Sequence, residues 1–197
     1  MARPRRDAPG PSARDRLIGA FWEMLARMPF DDITIGAISR EANVSQNTLY
    51  YHFDGLLDIA KAAVEAELSE EIAHKMLGSA TEDGPALLLV SDPRDSLRLS
   101  RIGLVASSGS ARLTSMLVSM LKAAWCGLSN RTPDSLTKEE SMDLDFIYGG
   151  LVSILADPTI REDMRNLADF LARPLGKGIT AAMTDLFPVP SPDAVSH

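Results

Sequence analysis

Apolar residues recur at three- and four-residue intervals along most of the chain, and nowhere do apolar and polar residues alternate over a useful length. The pattern therefore predicts helices and no sheet. Ser12 starts the first helix, Asp15 completes a capping-box pattern three residues on, and the stripe Leu17, Phe21, Met24, Leu25, Met28 runs until Pro29. After a connector from Phe30 to Ile33, Thr34 caps a second helix whose inward positions are Ile35, Ile38 and Ala42. Ser45 caps a third, in which Leu49 and Phe53 point inward together with Val44. The gap between the second and third helices admits only a tight turn. Asn43 stands where that turn needs a left-handed backbone, which asparagine tolerates second only to glycine. Two short helices joined in this way are the sequence form of a helix-turn-helix.

Residues 54–77 are expected to form one longer helix with Ile59, Ala63, Val64, Leu68, Ile72 and Met76 on its apolar face. Residues 78–84 break the pattern, and a short apolar run follows. Asp92, Pro93 and Asp95 then supply the cap, first-turn proline and early acid of another helix, which should bury Leu97, Ile102, Leu104 and Val105. The most regular stripe comes next, through Leu113, Met116, Leu117, Met120, Leu121, Ala124, Trp125 and Leu128. Thr137 and Glu140 form a capping box for a helix reaching residue 157, with Met142, Phe146, Ile147, Leu151, Ile154 and Leu155 inward. The last helical region, residues 159–187, carries Met164, Leu167, Leu171, Leu175, Ile179, Met183 and Leu186 on one side and should be kinked or divided at Pro174 and Gly176. The fold class is all-α. Residues 1–11 read as a flexible basic arm, 12–55 as the helix-turn-helix domain, 56–187 as a second helical domain and 188–197 as a flexible tail.

Composition narrows the class. With 45% hydrophobic and 24% charged residues, the 197-residue chain has the balance of a folded soluble protein. No apolar run approaches the length of roughly 18 residues needed for a membrane span, and no apolar core follows the first arginines, so a cytoplasmic location is expected. Cys126, set among Ala124, Trp125 and Leu128, reads as a buried, inert thiol. The net charge of −7 opposes nucleic-acid binding as a sum but not in its distribution. Residues 1–62 are balanced, so the whole excess falls in residues 63–197. Within residues 1–16, Arg3, Arg5, Arg6, Arg14 and Arg16 face only Asp7 and Asp15. The arm is either a solubilising tail or an element laid along phosphates or into a minor groove. No glycine-rich phosphate loop, zinc-protease helix or nucleophile elbow is present, and no histidine or cysteine stands at ligand spacing from His52. No catalytic residue, metal or cofactor is therefore expected.

Chemistry concentrates on the third helix. At 100° per residue Gln46, Asn47, Thr48, Tyr50, Tyr51 and His52 lie outward or flanking, and from Ser45 through Phe53 there is no carboxylate. Exposed helix faces ordinarily carry glutamate and lysine, whereas this one presents amides, hydroxyls and aromatics. Gln and Asn can bond an adenine edge bidentately, Thr can meet a base or a thymine methyl, and Tyr and His can donate to phosphate oxygens. The segment TLYYHF behind this turn resembles the DNA-binding signature of the tetracycline-repressor-type (TetR) family of transcriptional regulators, specifically over residues 14–62 and weakly beyond. The resemblance implies that Thr34, Gln46, Asn47, Thr48, Tyr50, Tyr51 and His52 occupy positions that touch bases or phosphates. Two positions depart from the family pattern: Leu56 stands where a lysine usually begins the fourth helix, and Asn43 replaces a glycine. Arg3, Arg5 and Arg6 are candidates to restore the missing electrostatic contact.

For the second domain the resemblance implies a small-molecule effector and dimerisation through the last two long helices. Leu104, Met116, Met120, Trp125, Phe146 and Phe170 are the candidate pocket lining, with plain core as the competing reading. Phe146, Gly149, Gly150, Leu167, Leu171, Ile179 and Met183 are the candidate dimer face. The glycine pair costs about 1 kcal/mol per residue relative to alanine, and close helix packing would offset that. The expected protein is a homodimeric, ligand-responsive regulator of the repressor type, acting on double-stranded operator DNA. A helical adaptor that has lost sequence-specific DNA binding is the alternative, motivated by Leu56 and the acidic total.

Overall fold

The computed structural model describes residues 10–68 and 92–186, and the chain divides after Ala63 into two compact units. Every regular element among the described residues is helical. In the first unit α1 (Ala13–Leu25) opens on the expected capping box: Asp15 N donates to Ser12 Oγ at 3.1 Å and Ser12 N donates to the Asp15 carboxylate at 3.2 Å. The helix buries Leu17, Phe21, Met24 and Leu25, together with Ala20 and Trp22. It ends at Leu25, before Pro29, which leaves Met28 only partly buried. Phe30 and Ile33 are buried at the two ends of a 3₁₀ turn, so the connector belongs to the core, with the Phe30 ring edge-on to Phe21 at 6.5 Å.

α2 (Ile35–Glu41) and α3 (Gln46–His52) both pack on α1 and on each other. Ile38 and Leu49 are wholly buried at their meeting point, while Ile35 is only partly covered. α4 (Leu56–Glu67) follows, and Asp58 caps it by accepting from Asp54 N at 3.1 Å. Its Ile59, Ala63 and Val64 are buried as expected. Ile72, Met76, the loop over residues 78–84 and the apolar run after it lie outside the described residues, as does the tail over residues 188–197.

The second unit contains α5 (Pro93–Ala106), α6 (Ala111–Leu128), α7 (Lys138–Leu155), α8 (Pro158–Glu162), α9 (Arg165–Ala172) and α10 (Pro174–Leu186). α5 is capped by Asp92, which accepts from Arg94 N at 2.8 Å, and α7 by the expected Thr137–Glu140 box. α5, α6 and α7 pack pairwise, and one core cluster gathers Trp125, Cys126, Leu144, Ile147, Tyr148 and Met183. Burial raises the Cys126 thiol pKa above its ordinary value, consistent with an inert core thiol.

Inward assignments on three helices are corrected. On α5 the buried positions are Asp95, Leu99, Ile102, Gly103 and Val105, whereas Leu97 is 54% exposed, because Leu97 lies about 200° around the helix from Leu99. On α7 the buried stripe is Leu144, Ile147, Tyr148, Val152 and Leu155, which turns Met142 and Phe146 out to solvent. On α10 Leu175 is exposed. The last helical region is divided at Pro174 as expected and a second time near Asp163. At the α9–α10 junction Gly176 is buried against the backbone of Leu171, where a Cβ would collide with main-chain atoms.

Candidate nucleic-acid interface

The turn between α2 and α3 is set by backbone hydrogen bonds. Val44 N donates to Ser39 O at 2.9 Å and Asn43 N to Arg40 O at 3.1 Å, the paired pattern of a Schellman helix end. That pattern requires the residue between to be left-handed, and Asn43 has φ 50°. Ser45 then restarts the chain as a helix by accepting from Thr48 N at 3.1 Å, its hydroxyl also 2.8 Å from that of Thr48. Thr34 caps α2 in the same manner, accepting from Ala37 N at 3.2 Å. Both caps leave the hydroxyl oxygens at the surface, where they can also meet a ligand.

α3 is anchored by Leu49, fully buried, and by Phe53, where the backbone leaves the helix in extended geometry. Gln46, Asn47, Tyr50 and Tyr51 are exposed, Tyr51 at 84%; Thr48 and His52 are half-buried. The Tyr51 ring stands edge-on to His52 at 5.1 Å, fixing the two as one aromatic corner at the end of the helix. The face therefore combines donors, acceptors and aromatic edges with no charge of its own. At the nearby end of α2, Arg27 donates to Glu41 at 2.8 Å and holds its carboxyl below the ordinary glutamate range, neutralising an acid that would repel a phosphate.

Two contributors were not visible as spacing. A Cβ on Gly36 would stand 3.2 Å from Gln46 Nε2, so the missing side chain on α2 makes room for the Gln46 amide. The signal for it was a glycine inside a very short helix, a costly choice without a packing reason. Arg14 lies over the Phe53 ring at 5.5 Å, a cation–π contact that links the start of α1 to the end of α3. Arg3, Arg5 and Arg6 lie outside the described residues. Leu56 is partly buried in the first turn of α4.

The six candidate pocket residues differ in their surroundings among the described residues. Trp125 is buried in the main cluster, Phe146 is 82% exposed on the far side of α7, and Leu104, Met116 and Met120 are partly covered. Phe170 lines an open cleft of about 530 Å³ with Ile154 and Ile160, which none of the other five joins. The candidate dimer residues also separate. Phe146, Gly149 and Gly150 are exposed, Leu171 and Ile179 are half-buried, and Leu167 and Met183 are buried within the second unit. Among the described residues no three His, Cys, Asp or Glu side chains are grouped to hold a metal ion, and no helix is long and apolar enough to cross a membrane.

Residues 17–63 match the family model for bacterial regulatory proteins of the tetR family. Among solved structures, the chain is similar to the fatty acid degradation regulator FadR from Bacillus halodurans, with a TM-score of 0.50 at 15% identity over 92% of this chain and 97% of that one. It is also similar to AlkX, a TetR family repressor from Dietzia sp. strain DQ12-45-1b implicated in biodegradation of n-alkanes, with a TM-score of 0.43 at 18% identity over 89% of this chain and 100% of that one. The likeness to FadR is one of fold. The comparison with curated proteins found no match. The capped α2, the left-handed turn at Asn43 and the uncharged outer face of α3 all lie inside the matched segment, so it is the N-terminal helix-turn-helix of this chain that is similar to the tetR family of bacterial regulatory proteins.

Proposed function

We propose that the protein is a homodimeric, ligand-responsive transcriptional repressor of the cytoplasm that reads a near-palindromic operator with α3. The observation that carries this reading is the composition of that helix's exposed face: Gln46, Asn47, Tyr50 and Tyr51 stand in water, and the helix itself carries no carboxylate. Gln46 and Asn47 supply base-edge bonds. Thr34, Thr48, Tyr50, Tyr51 and His52 position the helix on phosphates, and Arg3, Arg5 and Arg6 add sequence-independent attraction.

Dimerisation is supported by the outer face of α7, where Met142 is 61% and Phe146 82% exposed and Gly149 and Gly150 leave the backbone bare. An apolar stripe with two glycines suits a second copy of the same helix, since removing one Phe side chain from water contributes about 1.5–3 kcal/mol. Two recognition helices held by such a dimer would meet half-sites about one helical turn apart. In this reading a small apolar or amphipathic effector bound by the second unit shifts α4, alters that spacing and releases the DNA.

Footprinting of the protein on the promoter regions nearest its own gene tests the proposal. Two protected half-sites related by a two-fold axis are expected, and no protection at low salt on any promoter would end it. Leu56, at the head of α4 where a cation would hold a phosphate, favours the adaptor as second reading. An adaptor would show no salt-sensitive affinity for duplex DNA in a gel shift.

A further inference from the structure

Arg161 is the feature of the second unit that neither packing nor the DNA interface explains. It sits in α8, and its stem crosses α5 at Gly103, where an added Cβ would stand 3.0 Å from Arg161 Cγ and 3.1 Å from Cδ. The same Cβ would stand 2.8 Å from Leu155 O, so the glycine is a notch that admits both the end of α7 and this side chain. Arg161 Nε is buried and has no hydrogen-bond partner, and the guanidinium joins no salt bridge among the described residues. A donor group left unmatched is costly, and an arginine fork is shaped for a carboxylate or phosphate.

The same side chain borders an open cleft of about 350 Å³ between α5 and residues 161–165. Ser96 and Ser100, one helical turn apart on α5, place two hydroxyls on its wall, and Leu97 and Met164 give it an apolar side. The 54% exposure of Leu97, unexplained by the core, is the apolar wall of this cleft. The remaining charges are Arg165, Asp163 and Glu162. Arg165 grips Asp163 at 2.8 to 3.0 Å, so the charges of that pair are matched to each other.

We propose that this cleft binds a small organic monocarboxylate, seated against the Arg161 guanidinium that lines it, hydrogen-bonded by the serine hydroxyls and resting its apolar part on Leu97 and Met164. The charge balance sets the class. Asp157 already feels the charge of Arg161, so the guanidinium has at most one charge to offer a ligand, whereas a phosphate dianion would carry excess charge toward the carboxylates of Asp157, Glu162 and Asp163. The volume lies at the small end of ligand pockets, which fits a ligand of one ring or a short chain.

Calorimetric titration of the full-length protein with benzoate tests this, beside benzamide as the uncharged isostere and phenyl phosphate as the dianion. Saturable benzoate binding is expected, weaker by about tenfold or more for benzamide and for Arg161→Gln, because each removes one half of a charge-assisted pair. Phenyl phosphate should bind more weakly than benzoate. Protection of Arg161 from phenylglyoxal by benzoate, read by peptide mass, makes the same test without a variant. The proposal is overturned by absence of saturable benzoate binding to the folded protein, by equal binding to benzamide or to Arg161→Gln, by tighter binding of phenyl phosphate, or by unprotected Arg161. The readouts need no DNA, so they stand or fall separately from operator binding.

Discussion

Asn43 holds φ 50° between two helices whose end and start are both fixed by hydrogen bonds, so the left-handed geometry is imposed on it by its neighbours. Asn43→Gly should therefore leave stability unchanged or raise it slightly, while Asn43→Ala should cost about 1 kcal/mol, because a Cβ without a local amide raises the energy of that conformation. Thermal unfolding of the two variants checks this. At Gln46 the expectation concerns specificity. Its amide rests beside Gly36, and removing it in Gln46→Ala should relax preference at one operator position by about 1–3 kcal/mol while leaving non-specific affinity intact. Competition binding with single-base operator variants reads that difference; uniform weakening across all sequences would assign Gln46 to phosphate instead.

At the scale of elements, α7 is the helix with two apolar faces. Leu144, Ile147, Tyr148, Val152 and Leu155 fill the core, and Met142, Phe146, Gly149 and Gly150 remain outside. A Cβ at Gly150 would meet nothing within 4 Å among the described residues, so alanine there should stabilise the protomer by about 1 kcal/mol through helix propensity. The same methyl should weaken self-association, because it holds apart two backbones that the glycines allow to approach. Sedimentation velocity of Gly150→Ala against the parent checks the pair of effects, and unchanged association would remove the α7 stripe from the interface. Gly176 is the contrasting case: its neighbour is the Leu171 backbone of its own chain, so it serves the junction of α9 with α10.

Across the whole molecule, Arg131 joins three parts of the second unit. It grips Glu140 bidentately at 2.7 and 2.9 Å and donates to Ser135 O at 3.3 Å and Leu186 O at 3.4 Å. The Arg131 guanidinium and the Thr137 amide pull the Glu140 pKa from its ordinary value of 4.5 down to about 2. A depressed carboxylate pKa contributes stability that is fully present above 4.5 and is lost as pH falls toward about 2. Glu140→Gln should thus lower the melting temperature at neutral pH and flatten its decline across that acid window, as a melting series in pH would show. Charge at the other end of the chain belongs to DNA affinity. Deleting residues 1–11 removes Arg3, Arg5 and Arg6, and affinity should fall with a salt slope shallower by about 0.9 per lost phosphate contact. An unchanged slope would make the segment a tail.

The sequence by itself determined whatever is bonded within a few residues. Ser12 with Asp15, Thr34, Ser45 and Thr137 with Glu140 start the helices where they were expected, since a cap and its partner amide are local neighbours. For the same reason the turn at Asn43 and the division at Pro174 were legible, and so was the outer face of α3, where one buried Leu49 fixes the rotation of the whole helix. Only the tertiary structure decided between two apolar faces. On α7 both stripes have helical spacing, and the choice of Leu144 and Tyr148 over Met142 and Phe146 depends on Trp125, Cys126 and Met183, which approach from α6 and α10. Spacing along the chain cannot say which of two stripes finds such partners. The same holds for the glycines, because a missing Cβ acquires meaning from what stands opposite: Gln46 at Gly36, Arg161 at Gly103, the Leu171 backbone at Gly176 and open solvent at Gly149 and Gly150.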